Sequence, residues 1–212
     1  MRIYDITTGQ LTQTYSAPRN IVTALEYSED CRLLHQASED LCVRVWDTRQ
    51  SKNSPSVHIK SFVYFPTCLK ISPSQYMFAT GCKGFDGTGC EIKLFDLRMP
   101  STVVAEFRGH QHDVTGVAFM SSYIASVSRD GTFRLWSCHA SPVPHETQVF
   151  QDKNHYTSLT RFGGSDSCGL FAVADMNGQL TIISSDVSEK DIYKSSNTKV
   201  IHETTPSVDD ER

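Results

Sequence analysis

Two tryptophan-centred stretches constrain this chain more than any other feature. Ser38 to Asp47 and Ser128 to Ser137 each place an Asp (Asp40, Asp130) six residues before a Trp (Trp46, Trp136) that ends a short run of strand-forming residues. A unit of this kind cannot bury its apolar face alone, so a chain that repeats it must stack neighbouring copies on one another. Aligning on the Trp brings out weaker copies at Tyr4, Phe95 and Ile183, so that successive copies stand 42, 49, 41 and 47 residues apart. Spacings of roughly 40–45 residues fit one four-stranded antiparallel sheet per copy, and the longer intervals predict loop insertions. Asn177 keeps a short polar turn residue six positions before Ile183.

The fourth copy is the fullest. Gly109-His110 precedes a predicted strand from Val114 to Phe119; a second runs from Tyr123 to Ser128, Asp130-Gly131 makes a tight turn, and Thr132 to Trp136 forms a third. This arrangement resembles the WD-repeat family, and the resemblance implies an all-β WD40 β-propeller. It further implies a hydrogen-bonded set in which His110, Ser126 or Ser128, Asp130 and Trp136 tie an outer loop to the blade interior, with Asp40 and Trp46 as the counterparts in the second copy. Each buried polar group left unpaired would cost about 1–3 kcal/mol. A His-Asp-Ser trio on its own would suggest a hydrolase, but the repeat accounts for these residues and no Gly-x-Ser-x-Gly turn is present. Pro18 and Phe62 align with His110, and Phe95 replaces the Trp in the third copy. The second and third blades are therefore expected to rest more on sheet packing than on polar ties.

The chain opens on a third strand, Met1 to Asp5, followed by a fourth, Leu11 to Tyr15. About four full blades follow: Ile21 to Phe62, Thr67 to Phe107, Val114 to Phe150, and Thr157 to about Ser184. The expected organisation is a partial ring over residues 1–184, about four full blades plus half of one at the N-terminus. A polar tail over 185–212 follows, with Ile192-Tyr193 as a candidate outer strand and a disordered end from Pro206. The family usually closes a ring of seven, so the reading is a truncated propeller, with four-bladed closure or a ring completed by a second chain as alternatives.

Composition narrows the function classes. A formal charge of −4 and a pI near 6.0 disfavour a sequence-independent nucleic-acid binder, which needs a basic face. The N-terminus has no apolar signal core and nowhere do about 18 apolar residues run together, which predicts a cytoplasmic chain without membrane insertion. Seven scattered cysteines, with no Cys-x-x-Cys pair, read as free thiols, although Cys82 and Cys90 flank one loop and could approach each other. That loop, Gly81 to Cys90, is glycine-rich, yet a predicted strand follows it where a phosphate loop needs a helix. No cofactor, metal or small-molecule substrate is expected, and no enzyme activity.

A closer resemblance covers residues 16–136. The stretches Ser16-Ala17-Pro18-Arg19-Asn20-Ile21-Val22-Thr23, Ser38-Glu39-Asp40 through Trp46-Asp47-Thr48-Arg49, the Gly84-Phe85-Asp86-Gly87-Thr88-Gly89-Cys90-Glu91 loop through Asp96-Leu97-Arg98, and Gly109-His110 are similar to the WD repeat-containing protein 31 family. That resemblance implies a non-catalytic protein associated with cilia and ciliary trafficking, with protein partners. Partner binding is then expected in loops at Arg19, Glu39, Lys83, Phe85, Asp86, His112 and Arg129, among which the aromatic and Arg residues match the usual composition of interface anchors. At the opposite ends of the strands, Asp47 and Arg49, echoed by Asp96 and Arg98, resemble the Trp-Asp-x-Arg signature of WD proteins that dock on the cullin-4 ubiquitin-ligase adaptor as substrate receptors.

Overall fold

The computed structural model describes residues 1–15, 21–50, 54–100, 102–138, 145–165, 167–186 and 198–204. Among these the only regular elements are strands. β1 (Arg2–Tyr4) and β2 (Leu11–Thr14) form a two-stranded sheet. Four four-stranded antiparallel sheets follow. The first contains β3 (Val22–Tyr27), β4 (Leu33–Ser38), β5 (Cys42–Asp47) and β6 (Val57–Ile59), and the next β7 (Pro66–Ile71), β8 (Met77–Cys82), β9 (Ile92–Asp96) and β10 (Val103–Phe107). After these come β11 (Val114–Met120), β12 (Tyr123–Ser128), β13 (Thr132–Ser137) and β14 (His145–Gln151). The last sheet holds β15 (Tyr156–Gly164), β16 (Cys168–Asp175), β17 (Leu180–Asp186) and β18 (Thr198–Thr204). The described residues thus form a partial β-propeller of four complete blades and half of another. Ile192-Tyr193 lies outside the described residues, and the outer strand of the last blade is Thr198–Thr204, paired with β17.

Alternation along each strand fixes how the blades stack. In β11, Val117 and Phe119 share one apolar cluster with Ala79, Ile92 and Leu94 of the preceding blade, whereas Ala118 and Met120 join Phe171, Val173 and Ile183 of the following one. Successive side chains point to opposite faces, so one strand serves two neighbours. The first strands lie side by side, β3 against β7, β7 against β11 and β11 against β15. A threonine near the start of each joins them. Thr23 Oγ1 donates to the Pro66 carbonyl (2.6 Å), Thr67 Oγ1 to the Val114 carbonyl (2.5 Å) and Thr115 Oγ1 to the Tyr156 carbonyl (2.9 Å). With Thr157 the threonines recur in all four blades, a signal present in the sequence at 23, 67, 115 and 157 that pattern reading passed over.

Candidate functional site

The blade interiors explain the buried polar residues before any site is considered. In the fourth repeat His110 is buried; its Nδ1 lies 2.9 Å from Thr132 Oγ1 and 3.2 Å from Asp130 Oδ2, and its Nε2 lies 2.7 Å from Ser126 Oγ, which also accepts from Trp136 Nε1 at 2.8 Å. Ser128 is not in this chain of bonds: its hydroxyl donates to the His112 carbonyl and accepts from the Asp130 amide. Burial pushes the His110 imidazole toward its neutral form against the pull of Asp130. Burial alone would raise the Asp130 carboxyl, but hydrogen bonds from His110 and Thr132 outweigh it and hold the group well below the usual carboxylate range. The trio has no exposed nucleophile, because Ser126 is fully buried and already shared between His110 and Trp136.

The second and third blades lack the histidine of the fourth, yet each keeps polar ties of its own. In the second, Trp46 Nε1 donates to Gln36 Oε1 (2.8 Å), while Asp40 takes a two-pronged bond from Arg44 (3.2 and 2.5 Å). In the third, the Lys93 ammonium is buried over the Phe62 ring, donates to the Ser61 carbonyl (3.1 Å) and sits 3.6 and 3.5 Å from Glu91 and Glu106. Gln36, Thr80 and Ser126 hold matching register positions, as do Arg44, Lys93 and Arg134. One cationic position on the third strand thus finds a carboxylate in every case, with Glu146 as the partner of Arg134. Reading only for the His and the Trp missed this, because the partner changes from blade to blade.

The loops at the N-terminal ends of the third strands form the exposed face. Cys82 and Cys90 are both buried free thiols and make no disulfide. Between them the chain folds into a small hairpin in which Phe85 and Thr88 exchange backbone hydrogen bonds, both at 3.0 Å. Gly84 has no room for a side chain: a Cβ there would lie 2.3 Å from the Thr88 carbonyl oxygen and 2.4 Å from the Gly89 backbone. Asp86 and Gly87 at the tip adopt left-handed φ values of 52° and 71°. The hairpin is braced by the next blade: the Gly84 amide donates to Asp113 Oδ1 (3.1 Å), the Gly87 amide donates to the Gln111 carbonyl, and the Phe85 ring meets His112 edge-on at 5.0 Å. Arg129 stands beside them, 3.3 Å from Asp113. The structure therefore brings Lys83, Phe85, Asp86, His112 and Arg129 onto adjoining loops of two blades. Glu39 lies on the corresponding turn of the second blade, and Arg19 is outside the described residues.

On the opposite face, Arg49 turns back on Asp47 (2.7 Å) and Arg98 on Asp96 (2.5 Å), both guanidiniums remaining exposed. The side-chain bonds from Arg49 hold the Asp47 carboxyl far below its ordinary value, and Arg98 lowers Asp96 in the same way.

A family model described as WD domain, G-beta repeat matches residues 9–47 and 101–137. The chain is similar to the E3 ubiquitin-protein ligase COP1 of Arabidopsis thaliana, 27% identical over 170 residues that make up 79% of this chain and 24% of that protein. It is 30% identical over 154 residues to the nuclear distribution protein PAC1 of Arthroderma otae (64% of this chain, 33% of that protein), and 26% identical over 147 residues to human striatin (62% and 19%). The chain spans about a quarter to a third of the length of the first two relatives.

Proposed function

We propose that this chain of WD40 repeats is a non-catalytic protein-interaction scaffold whose partner face is the loop surface around Phe85, and that it supports assembly or regulation of ciliary trafficking complexes in the cytoplasm. The observation that carries the scaffold reading is the braced hairpin itself. A large aromatic side chain left 72% exposed on a backbone fixed by bonds to its own blade and to the next is a poor use of apolar surface unless something covers it. Support for the trafficking role comes from the long Gly-Phe-x-Gly-x-Gly-Cys-Glu loop, on which the resemblance to the WD repeat-containing protein 31 family rests.

A second reading is favoured by one specific geometry. Asp47–Arg49 and Asp96–Arg98 repeat the same ion pair with an exposed guanidinium on successive blades, at the residues that resemble the Trp-Asp-x-Arg signature of cullin-4 ubiquitin-ligase substrate receptors, and one relative's name is that of a ubiquitin ligase. Proximity labelling in ciliated cells separates the two. Trafficking proteins that disappear when Phe85 and Arg129 are both changed to Ala support the first. Recovery of the ligase adaptor, lost with Arg49→Ala and unaffected by the loop changes, supports the second.

A further inference from the structure

Beside the Phe85 hairpin lies a groove of about 360 Å³ whose lining includes Leu41, Val63, Tyr64, Phe65, Lys83 and Phe85. Its walls come from three segments that are distant in sequence: the turn of the second blade, the connection between the second and third blades, and the long hairpin. Val63 is 75% exposed, and Leu41 and Tyr64 are partly so, which together with Phe85 makes one contiguous apolar surface. The walls are held before anything binds. The Lys83 amide donates to the Phe65 carbonyl (2.9 Å), and the Tyr64 ring lies so close over Gly89 that a Cβ there would come within 2.5 Å of it. A groove fixed in this way forfeits little entropy on occupation.

The charge at the groove is specific. Lys83 is its one ionic side chain, its ammonium sits 5.0 Å over the Phe65 ring, and it forms no salt bridge among the described residues. Arg44, Lys70, Lys93, Arg129 and Arg134 each have a carboxylate partner, whereas Lys83, like Arg2, Lys60 and Lys153, has none among the described residues. A cation beside an apolar trough, resting on an aromatic ring and with no salt-bridge partner among the described residues, matches a carboxylate adjoining a large apolar side chain. Asp86, on the hairpin tip beyond Phe85, gives the groove a direction, disfavouring a carboxylate at that end.

We infer that this groove binds a linear peptide segment in which a large aliphatic or aromatic side chain sits in the trough next to an Asp or Glu that pairs with Lys83. The inference rests on the scaffold reading and specifies what the partner offers at that face. At about 360 Å³ the trough is near the lower end of the roughly 300–1,000 Å³ typical of ligand pockets, which suits one or two side chains of an extended segment.

The test is selection of an acetylated heptapeptide library on the full chain, followed by fluorescence anisotropy with the best peptide. Enrichment of an acidic residue within two positions of Leu, Ile, Phe or Met is expected. Lys83→Glu should weaken that peptide at least tenfold, and a peptide with Lys in place of its acidic residue should bind Lys83→Glu better than the original chain. Phe85→Ser should abolish binding, while Arg49→Ala, on the other face, leaves it unchanged. Lys83 and Phe85 are exposed, so unchanged thermal melting should confirm that both variants stay folded. Enriched peptides without an acidic preference, or charge reversal that leaves their affinity unaltered, would overturn the inference. So would a library yielding no binder, and that result leaves the scaffold reading standing wherever proximity labelling still depends on Phe85 and Arg129.

Discussion

His35 is fully buried with its ring tilted against Phe78, centroids 5.5 Å apart, and neither ring nitrogen has a hydrogen-bond partner among the described residues. The same place in the later blades is held by Ala79, Ala125 and Ala172. Burial pulls the His35 imidazole down from 6.5 to about 4. Between those values the unfolded chain binds a proton that the folded one refuses, so stability falls as pH drops from 6.5 toward 4, by up to about 1.4 kcal/mol per pH unit. Urea midpoints at pH 7.5 and pH 5 should show that loss in the native chain and a smaller one in His35→Ala. Glu26 sits opposite on β3, paired with Lys70; burial raises its carboxyl and acts in the reverse sense, but it is common to both proteins. His110 has the opposite surroundings, every ring nitrogen being bonded. His110→Ala should leave Asp130 and Ser126 each short of a partner and cost about 2–4 kcal/mol in chemical denaturation, whereas Ser128→Ala, which frees only the His112 carbonyl and the Asp130 amide at a partly buried turn, should cost less.

At the scale of the element, the turns between second and third strands divide into those the sequence reveals and those it hides. Asp130-Gly131 was legible because Gly at that place supplies a left-handed φ, here 79°. The neighbour that closes over it was not, since the Asp152 carbonyl oxygen would lie only 2.5 Å from a Cβ on Gly131 and comes from beyond the fourth strand. Gly131→Ala therefore meets two penalties and should lower stability by about 1–3 kcal/mol, more than an open left-handed glycine would; Gly9, with a φ of 68° and nothing within 4 Å, is the control. Comparing the melting temperatures of the two Ala variants checks the difference. The long hairpin was legible as a glycine-rich insertion displaying Phe85 and Asp86. Its bracing by Asp113, Gln111 and His112 was not, because backbone bonds from Gly84 and Gly87 to another blade leave no mark on either segment's own pattern.

Across the whole molecule, one set of five positions on the second and third strands meets the next blade each time: Met77, Ala79, Gly81, Ile92 and Leu94 in the third sheet, Tyr123, Ala125, Val127, Phe133 and Leu135 in the fourth. The register gives Leu170, Ala172, Ala174, Leu180 and Ile182 as the equivalents in the last sheet. The repeat made these residues recognisable as strand, while their surroundings depend on what lies beyond them. No further sheet follows among the described residues, and Leu180 is 41% exposed where Phe133 is fully buried. Identical places in the repeat should thus respond differently to one change. Leu135→Glu puts a carboxylate into a closed interface and should unfold the fourth and fifth blades, with a loss above about 3 kcal/mol. Ile182→Glu, on the open face, should shift the urea midpoint little and lower the binding of a hydrophobic dye. If both unfold the chain alike, the last sheet's outer face is covered in solution, and a second copy or another segment must then be sought there by sedimentation velocity.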